Sequence, residues 1–589
     1  MSELLIVADT EATAMDRGIA AWAEWCGVAV SWRDTPPLDL ATRTGEARSR
    51  VIAVSADTLI RLGAADRLQG ESSNPGVGGC GSMLVYGISD APEHQSIAAR
   101  YGAGLAVVRV PSAPSDAPIR YRFAAAARTW AGALAGQEVV DPQPASWNHR
   151  FGLTGCERAG GATILGIGDS AHLARFDASD GTAIFMWCAA STVLPSEGVP
   201  RDTDLSAYYS RVLPLLVFLQ SAFGPACWHN HRHKARLIID DCLLHPRFGF
   251  IEYEELVDSM RRANYASTVA YIPWNHRRAR ASTVDLFSRE PERLGVCVHG
   301  CDHTGGEFAT QDESSLAWRS GKALARMDRF AKATGLAVDR VMVFPRGQFS
   351  PGAMRSLREA GFLAAVNTET HPSAPADPGV VELGELLRPA STRFSGFPLL
   401  PRHYPRKAVD FAVSLFVGRA AMVVEHHEFV KQGYREWESF VRALNDLEPD
   451  LEWRGLADIA RDCFLQRRRN DGAFDVWCFC RETLWRNHLD HPVRTHWVKH
   501  EPDQDVVCDV VHNGSSIPFE WRDGTLHFEF TVDAGSSAAV QIRDRPNKRA
   551  ARYTPSLSYQ AKVFARRCLS EVLMNVQTRP SKRPPRQQG

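Results

Sequence analysis

The 589-residue sequence contains no run of the roughly 18 apolar residues that a helix needs to cross a bilayer. Its best apolar stretch, VLPLLVFLQSAF at 212–223, is too short, so no transmembrane segment is expected. It also lacks an excess of charge of either sign: Lys and Arg number 68, as do Asp and Glu, and no global field selects nucleic acid or an acidic partner. The opening residues, MSELLIVADTEATAMDRG, have no basic segment leading into a long apolar core and meet acidic residues at once, which argues against a secretory signal. The 13 cysteines are odd in number and scattered through apolar surroundings, unlike a disulfide framework. Reduced thiols and a cytoplasmic location are the expectation.

What is present is ordinary globular composition, 44% apolar and 23% charged, in a chain long enough for several domains with their own cores. Residues 1–148 alternate strand-like pieces (LLIVA, VAVSW, VIAVS, MLVYGI, LAVVRV) with helical ones, including RFAAAARTWAGALAG, which predicts a flavodoxin-like or amidotransferase-like α/β domain. Within it GGCGS at 78–82 resembles a nucleophile elbow, but Cys80 follows a loop and precedes a strand, the reverse of that arrangement, so no catalytic role is expected. Residues 149–225 carry short strands and a helix near 204–224, and either complete that first domain or cap the next. Residues 226–465 repeat strand, helix, strand and predict a distorted (β/α) barrel with fewer than eight strands. Alternating apolar and polar residues with NG and DG turns over 466–548 predict a small antiparallel β-sandwich. Residues 549–589 read as a helix at 555–576 followed by a basic, Pro-rich tail, expected to be disordered.

The chemistry concentrates in the barrel segment. RLIIDDCLL at 236–244 is an apolar run ending in two carboxylates, Asp240 and Asp241, as a buried parallel strand ends when it delivers charge to a sheet rim. VCVHGCDHTGGEF at 296–308 ends another strand-like run in His299, with His303 four residues on. Spacing alone is weak, because His229/His233 and His496/His500 repeat it; the strand-like approach and the small residues Gly300, Gly305 and Gly306 set this pair apart. One carboxylate and two imidazoles make a three-ligand metal site, and the second carboxylate is left to handle protons. An Asp-Asp pair alone would equally well cap a helix.

RLIIDDCLL followed by HGCDH resembles the first two motifs of the polysaccharide deacetylase (NodB-homology) superfamily, and VMVFPRGQFSPGAMRSLREAGFLAAVNT at 341–368 and AAMVVEHHEF at 420–429 resemble two later ones. The likeness spans about 226–465 and implies a divergent member: a deacetylase-type barrel that removes an acetyl group from an N-acylated carbohydrate. By that resemblance Asp241, His299 and His303 hold a divalent ion, zinc by ligand type. Asp240 is then the base, and His426 or His427 the acid. The place of the family's motif arginine falls on Val343; Arg346, near the place of an aromatic, is the catalytic candidate there, and its reach to Asp240 is left open. Trp274, Asn275, Pro345 and Phe349 are the candidate substrate-lining residues, with Trp274 and Phe349 either stacking on a sugar ring or, the favoured alternative for each, packing in wall or core. Gly300 departs from the family, which places a hydroxyl residue there. Two alternatives stay open: a non-catalytic carbohydrate-binding or assembly protein with this fold, and an amidohydrolase acting on a non-sugar amide. Oligomeric state is not legible.

Overall fold

The computed structural model describes residues 3–8, 11–33, 50–61, 80–100, 104–110, 117–142, 150–178, 181–230, 232–373, 380–545 and 553–577, to which every count below refers. An all-parallel sheet of eight strands, against the expectation of fewer than eight, carries the candidate site; the eighth is the two-residue Glu452–Trp453 beside the start of Lys234–Asp240. Its order places Lys234–Asp240 between Ser267–Tyr271 and Ala421–Glu425, with Leu294–His299, Asp339–Val343, Ala364–Asn367 and Leu399–Pro401 following outward. Just beyond Pro401, the N–H of His403 donates to Met422 and its carbonyl accepts from Val424, which joins the last of these strands back to Ala421–Glu425. The sheet thus curls on itself as a distorted barrel. Lys234–Asp240 is buried along its whole length, as the aliphatic run requires of a central strand covered on both faces.

The connecting helices follow their local signals. Asp312 accepts from the N–H groups of Ser314 and Ser315 and opens Glu313–Thr334, which Gly335 ends in the left-handed region at φ 76°. Leu316, Ala323, Met327 and Phe330 form its buried stripe; each fully buried large apolar side chain contributes about 1.5–3 kcal/mol. Ser350 caps Pro351–Ala360 in the same way, with proline at the first turn. No helix among the described residues is long and apolar enough to cross a membrane.

The first part of the chain differs from a flavodoxin-like sheet. The strands Ala29–Arg33, Glu3–Val7, Arg50–Ser55, Cys80–Tyr86 and Ala183–Trp187 run parallel, but the same eleven-stranded sheet continues antiparallel through Ser170–Asp177, Ala162–Ile167, Ile119–Phe123 and Glu138–Asp141. The reason is loop length. Ala162–Ile167 and Ser170–Asp177 are joined by Gly168 and Asp169 alone, too short for a crossover helix, so the pair must be a hairpin. The strands from Phe151 to Trp187 therefore share one sheet with those before 142, whereas Gly198–Pro200 pairs with Val380–Glu382. The expected helix over RFAAAARTWAGALAG is broken into short turns around Arg128–Ala131, since Gly132 and Gly136 take positive φ. Cys80 begins a strand, and the preceding loop lies outside the described residues.

After the barrel, a five-stranded sheet (Phe464–Arg468, Phe474–Cys478, Val493–His500, Thr525–Val532, Glu520–Arg522) faces a four-stranded one (Glu482–Arg486, Ser537–Asp544, Val507–His512, Ser515–Ile517). Phe464, Trp497 and Leu526 of the first pack with Trp485, Val510 and Ile542 of the second. One strand pair, Phe474–Cys478 with Val493–His500, is parallel in this otherwise antiparallel sandwich.

Candidate metal centre

Asp240 is the last residue of its strand, and Asp241 follows with φ 71°, a conformation that an aspartate adopts more readily than most side chains. The two neighbouring carboxylates take different partners. Both oxygens of Asp240 accept from the guanidinium of Arg402, at 2.8 and 2.7 Å, and both side chains are buried. Burial alone would raise the Asp240 pKa, but the Arg402 charge, then His299, outweigh it and hold the carboxyl below its ordinary range.

Asp241 Oδ1 instead lies 3.3 Å from His299 Nε2 and 2.9 Å from His303 Nε2. The three ligand atoms fall within 4.8 Å of one another. His299 Nδ1 donates to the Val343 carbonyl at 3.0 Å, so in the neutral ring Nε2 presents its lone pair to the carboxylate. Two acceptors in that relation require a proton or a cation between them, and Asp241 Oδ1 is buried with no hydrogen-bond partner. The donor set, one carboxylate and two imidazoles around an orphaned buried oxygen, fits a borderline divalent ion such as zinc. For Asp241 burial again opposes the charge, but the imidazoles of His299 and His303 against its oxygen prevail and its pKa lies well below the usual range.

A loop built on Glu307 positions the histidines. Its carboxylate accepts from the N–H groups of Cys301, Asp302, His303 and Thr304 at 2.9–3.3 Å and from the Thr304 hydroxyl. This holds His303 at φ 56° and Gly300 at φ 63°. A Cβ on Gly300 would come within 2.3 Å of Glu307 Oε1 and 2.5 Å of Pro345 Cγ, which explains why no hydroxyl residue stands after His299. The loop N–H groups and a glutamate do the orienting instead.

Of the two candidate acids, His427 is the buried one, and the Asp241 charge reaches it. It is held between Phe248 and Phe250, with ring centroids 5.7 and 5.6 Å away, and its Nδ1 is buried without a partner. Its pKa is lowered, burial being the main cause. His426 is half-buried.

Other sequence candidates are placed elsewhere. Arg346 is exposed at φ 58°, and the guanidinium on Asp240 is Arg402, brought in by the strand Leu399–Pro401. Phe349 is fully buried between Phe344 and Phe394, a core residue with no face left for a sugar. Asn275 and Pro345 are buried too, and only Trp274 of the four is partly exposed. Arg402 was missed although PLLPR repeats the logic of LIIDD, an apolar strand ending in charge. The C-terminal helix Leu557–Gln577, expected from the sequence at 555–576, leans on the site. Tyr559 donates to Asp302 at 2.9 Å, Arg567 Nη2 lies 3.3 Å from His303 Nδ1, and Phe564 meets Trp274 at 6.3 Å between centroids.

No family model matches the sequence, and no curated protein matches it either. Solved structures similar to it include a Mycobacterium smegmatis protein described as a polysaccharide deacetylase, 14% identical, with 41% of this chain and 93% of that one covered and a TM-score of 0.28. A family 4 carbohydrate esterase from Streptomyces lividans, in complex with acetate, is 10% identical over 38% of this chain and 92% of its own, with a TM-score of 0.23. A carbohydrate esterase family 4 pseudoenzyme from Bacillus anthracis is 11% identical over 42% and 72%, with a TM-score of 0.26.

Proposed function

We propose that this chain is a metal-dependent hydrolase that removes an acyl group, acetyl by its motif resemblance, from an N-acylated carbohydrate in polysaccharide or glycoconjugate synthesis. The observation that supports this most is the division of labour between adjacent carboxylates, Asp241 with two imidazoles and Asp240 with Arg402. Asp241, His299 and His303 would hold a divalent ion, which when bound would supply Lewis acidity at an acyl carbonyl. Asp240, kept ionised by Arg402, accepts the proton of the attacking water. His427, aimed by the Phe248 and Phe250 rings, gives a proton to the leaving amine as the C–N bond breaks. The products are a carboxylate and a free amine.

Burial of Phe349 favours a second reading, a non-sugar amide as substrate, because it leaves Trp274 as the one stacking ring of the two expected. The first test is metal content of the purified chain beside Asp241→Ala and His299→Ala, with amine and carboxylate release measured from acetylated sugars and from simple N-acyl amides. Near-stoichiometric metal lost in both variants, with sugar deacetylation lost as well, is the expected result. Activity confined to simple amides would move the assignment to the second reading. A wild type that takes up no divalent ion when one is supplied would overturn both.

A further inference from the structure

The C-terminal helix Leu557–Gln577 has two faces of opposite kind. Its inner face is tied to the barrel: Val563 and Arg567 are buried, and Tyr559 and Arg567 reach Asp302 and His303. Its outer face is apolar and open. At 3.6 residues per turn Leu557, Ala561, Phe564, Ala565, Cys568 and Leu569 share one arc. All six are exposed, with Leu557 at 84% and Phe564 and Leu569 each at 62%, among the most exposed large hydrophobics of the described residues. Apart from the meeting of Phe564 with Trp274, this arc is left uncovered by the described residues.

The surroundings are cationic. From residue 557 onward the sequence carries Lys562, Arg566, Arg567, Arg579, Lys582, Arg583 and Arg586 against a single acid, Glu571. Over the Trp274 ring, which Phe564 meets, lies the guanidinium of Arg278, 5.8 Å from its centroid. A chain neutral overall thus carries a basic excess in the stretch of sequence that bears the apolar arc, with Lys562 and Arg566 on the described part of the helix. We infer that this helix is a membrane-surface element: its outer arc seats in the interface of an anionic lipid bilayer while the basic residues meet the headgroups. A second copy of the chain fits less well, because a two-fold contact would set cation against cation. The inner face touches His303, so the docked helix would hold the candidate metal centre at the bilayer surface, within reach of saccharides carried on lipid. The inference does not rest on the reaction.

The test uses the full chain and vesicles, without an activity assay. Co-sedimentation is measured with pure phosphatidylcholine and with phosphatidylcholine containing phosphatidylglycerol, at low and high salt. Cys568, one of two exposed thiols among the described cysteines, takes a polarity-sensitive dye, with Cys568→Ser as the labelling control. Partitioning at least about tenfold stronger on the anionic vesicles, weakened by salt, is expected. The dye should shift to the blue. Phe564→Asp and Leu569→Asp should each weaken partitioning by about tenfold or more, since each removes a large apolar side chain from the interface. Partitioning equal on both lipids, or unchanged in both variants, would overturn the inference. So would a concentration-dependent dimer that Phe564→Asp abolishes, which would make a second copy the occupant.

Discussion

Arg402 and Asp240 bury opposite charges against each other, a geometry in which the pair is worth less than the loss of one member. Arg402→Ala should therefore destabilise the chain by about 3–5 kcal/mol, because it strands a carboxylate in the barrel; chemical denaturation followed by circular dichroism reads this directly. Arg402→Lys keeps the charge but loses the two-pronged contact, and should recover only part of the deficit. Gly300 is a second point of low tolerance. At φ 63° and with Glu307 and Pro345 against the space a Cβ needs, Gly300→Ser should lower the melting temperature and weaken metal uptake together, in spite of restoring the residue type common in the resembling family. Unchanged metal affinity in that variant would show that the loop relaxes around an added side chain. Both positions were within reach of sequence only in part: the aspartate pair announces itself at the end of an apolar run, whereas its guanidinium partner lies 162 residues away.

The element that matters most is the short loop from Gly300 to Phe308, which has no regular secondary structure and borrows its order from one carboxylate. Four N–H groups and a hydroxyl converge on Glu307, and charge-assisted hydrogen bonds of this type are about twice as strong as neutral ones. Glu307→Gln replaces one acceptor oxygen by a donor that must face an N–H. Metal affinity, measured by competition with a chromogenic chelator, should fall by about 10–100-fold while far-ultraviolet circular dichroism stays at the wild-type level. A loss of helical signal would instead assign Glu307 to global stability. The hairpin strands Arg247–Phe248 and Ile251–Glu252 act similarly on the other side, laying Phe248 and Phe250 against His427. A Cβ on Gly249 would fall 2.4 Å from the imidazole, so Gly249→Ala should displace His427 and lower kcat more than it changes KM on whichever acyl substrate the first test identifies.

At the scale of the whole molecule, the barrel and the sandwich share a seam of buried charge. Arg358 binds Glu501 through two contacts of 2.8 Å, and Lys499, with no exposed side-chain surface, donates to the carbonyls of Gly396 and His500. Burial pushes the Lys499 ammonium down to about 8 from an ordinary 10.5, with Glu501 opposing the shift. A lysine whose pKa is lower when folded binds fewer protons in the native state than in the unfolded one between those two values. Stability then rises with pH across that window. The thermal midpoint of the wild type should accordingly climb from about pH 8 to about pH 10.5 relative to Lys499→Met, which lacks the titrating group. Parallel curves for the two proteins would show that the amine keeps its charge in the seam.

Local chemistry determined a large part of this protein. The run LIIDD foretells a buried strand with carboxylates at its rim and HGCDH following VCV foretells imidazoles at another, because each signal acts over a few residues of chain. Pairings between distant segments were decided by the fold alone. Arg402 rather than Arg346 reaches Asp240 because closure of the barrel through His403 sets the strand Leu399–Pro401 beside Ala421–Glu425. His427 rather than His426 is the buried one because a hairpin from another part of the chain packs on it. Phe349 is core because Phe344 and Phe394 close over it, and the amphipathic C-terminal helix lies on the candidate metal centre because Asp302 and His303 offer partners for Tyr559 and Arg567. Composition and spacing carry no record of such contacts, since the energy that selects them comes from burial and charge meeting across the folded chain.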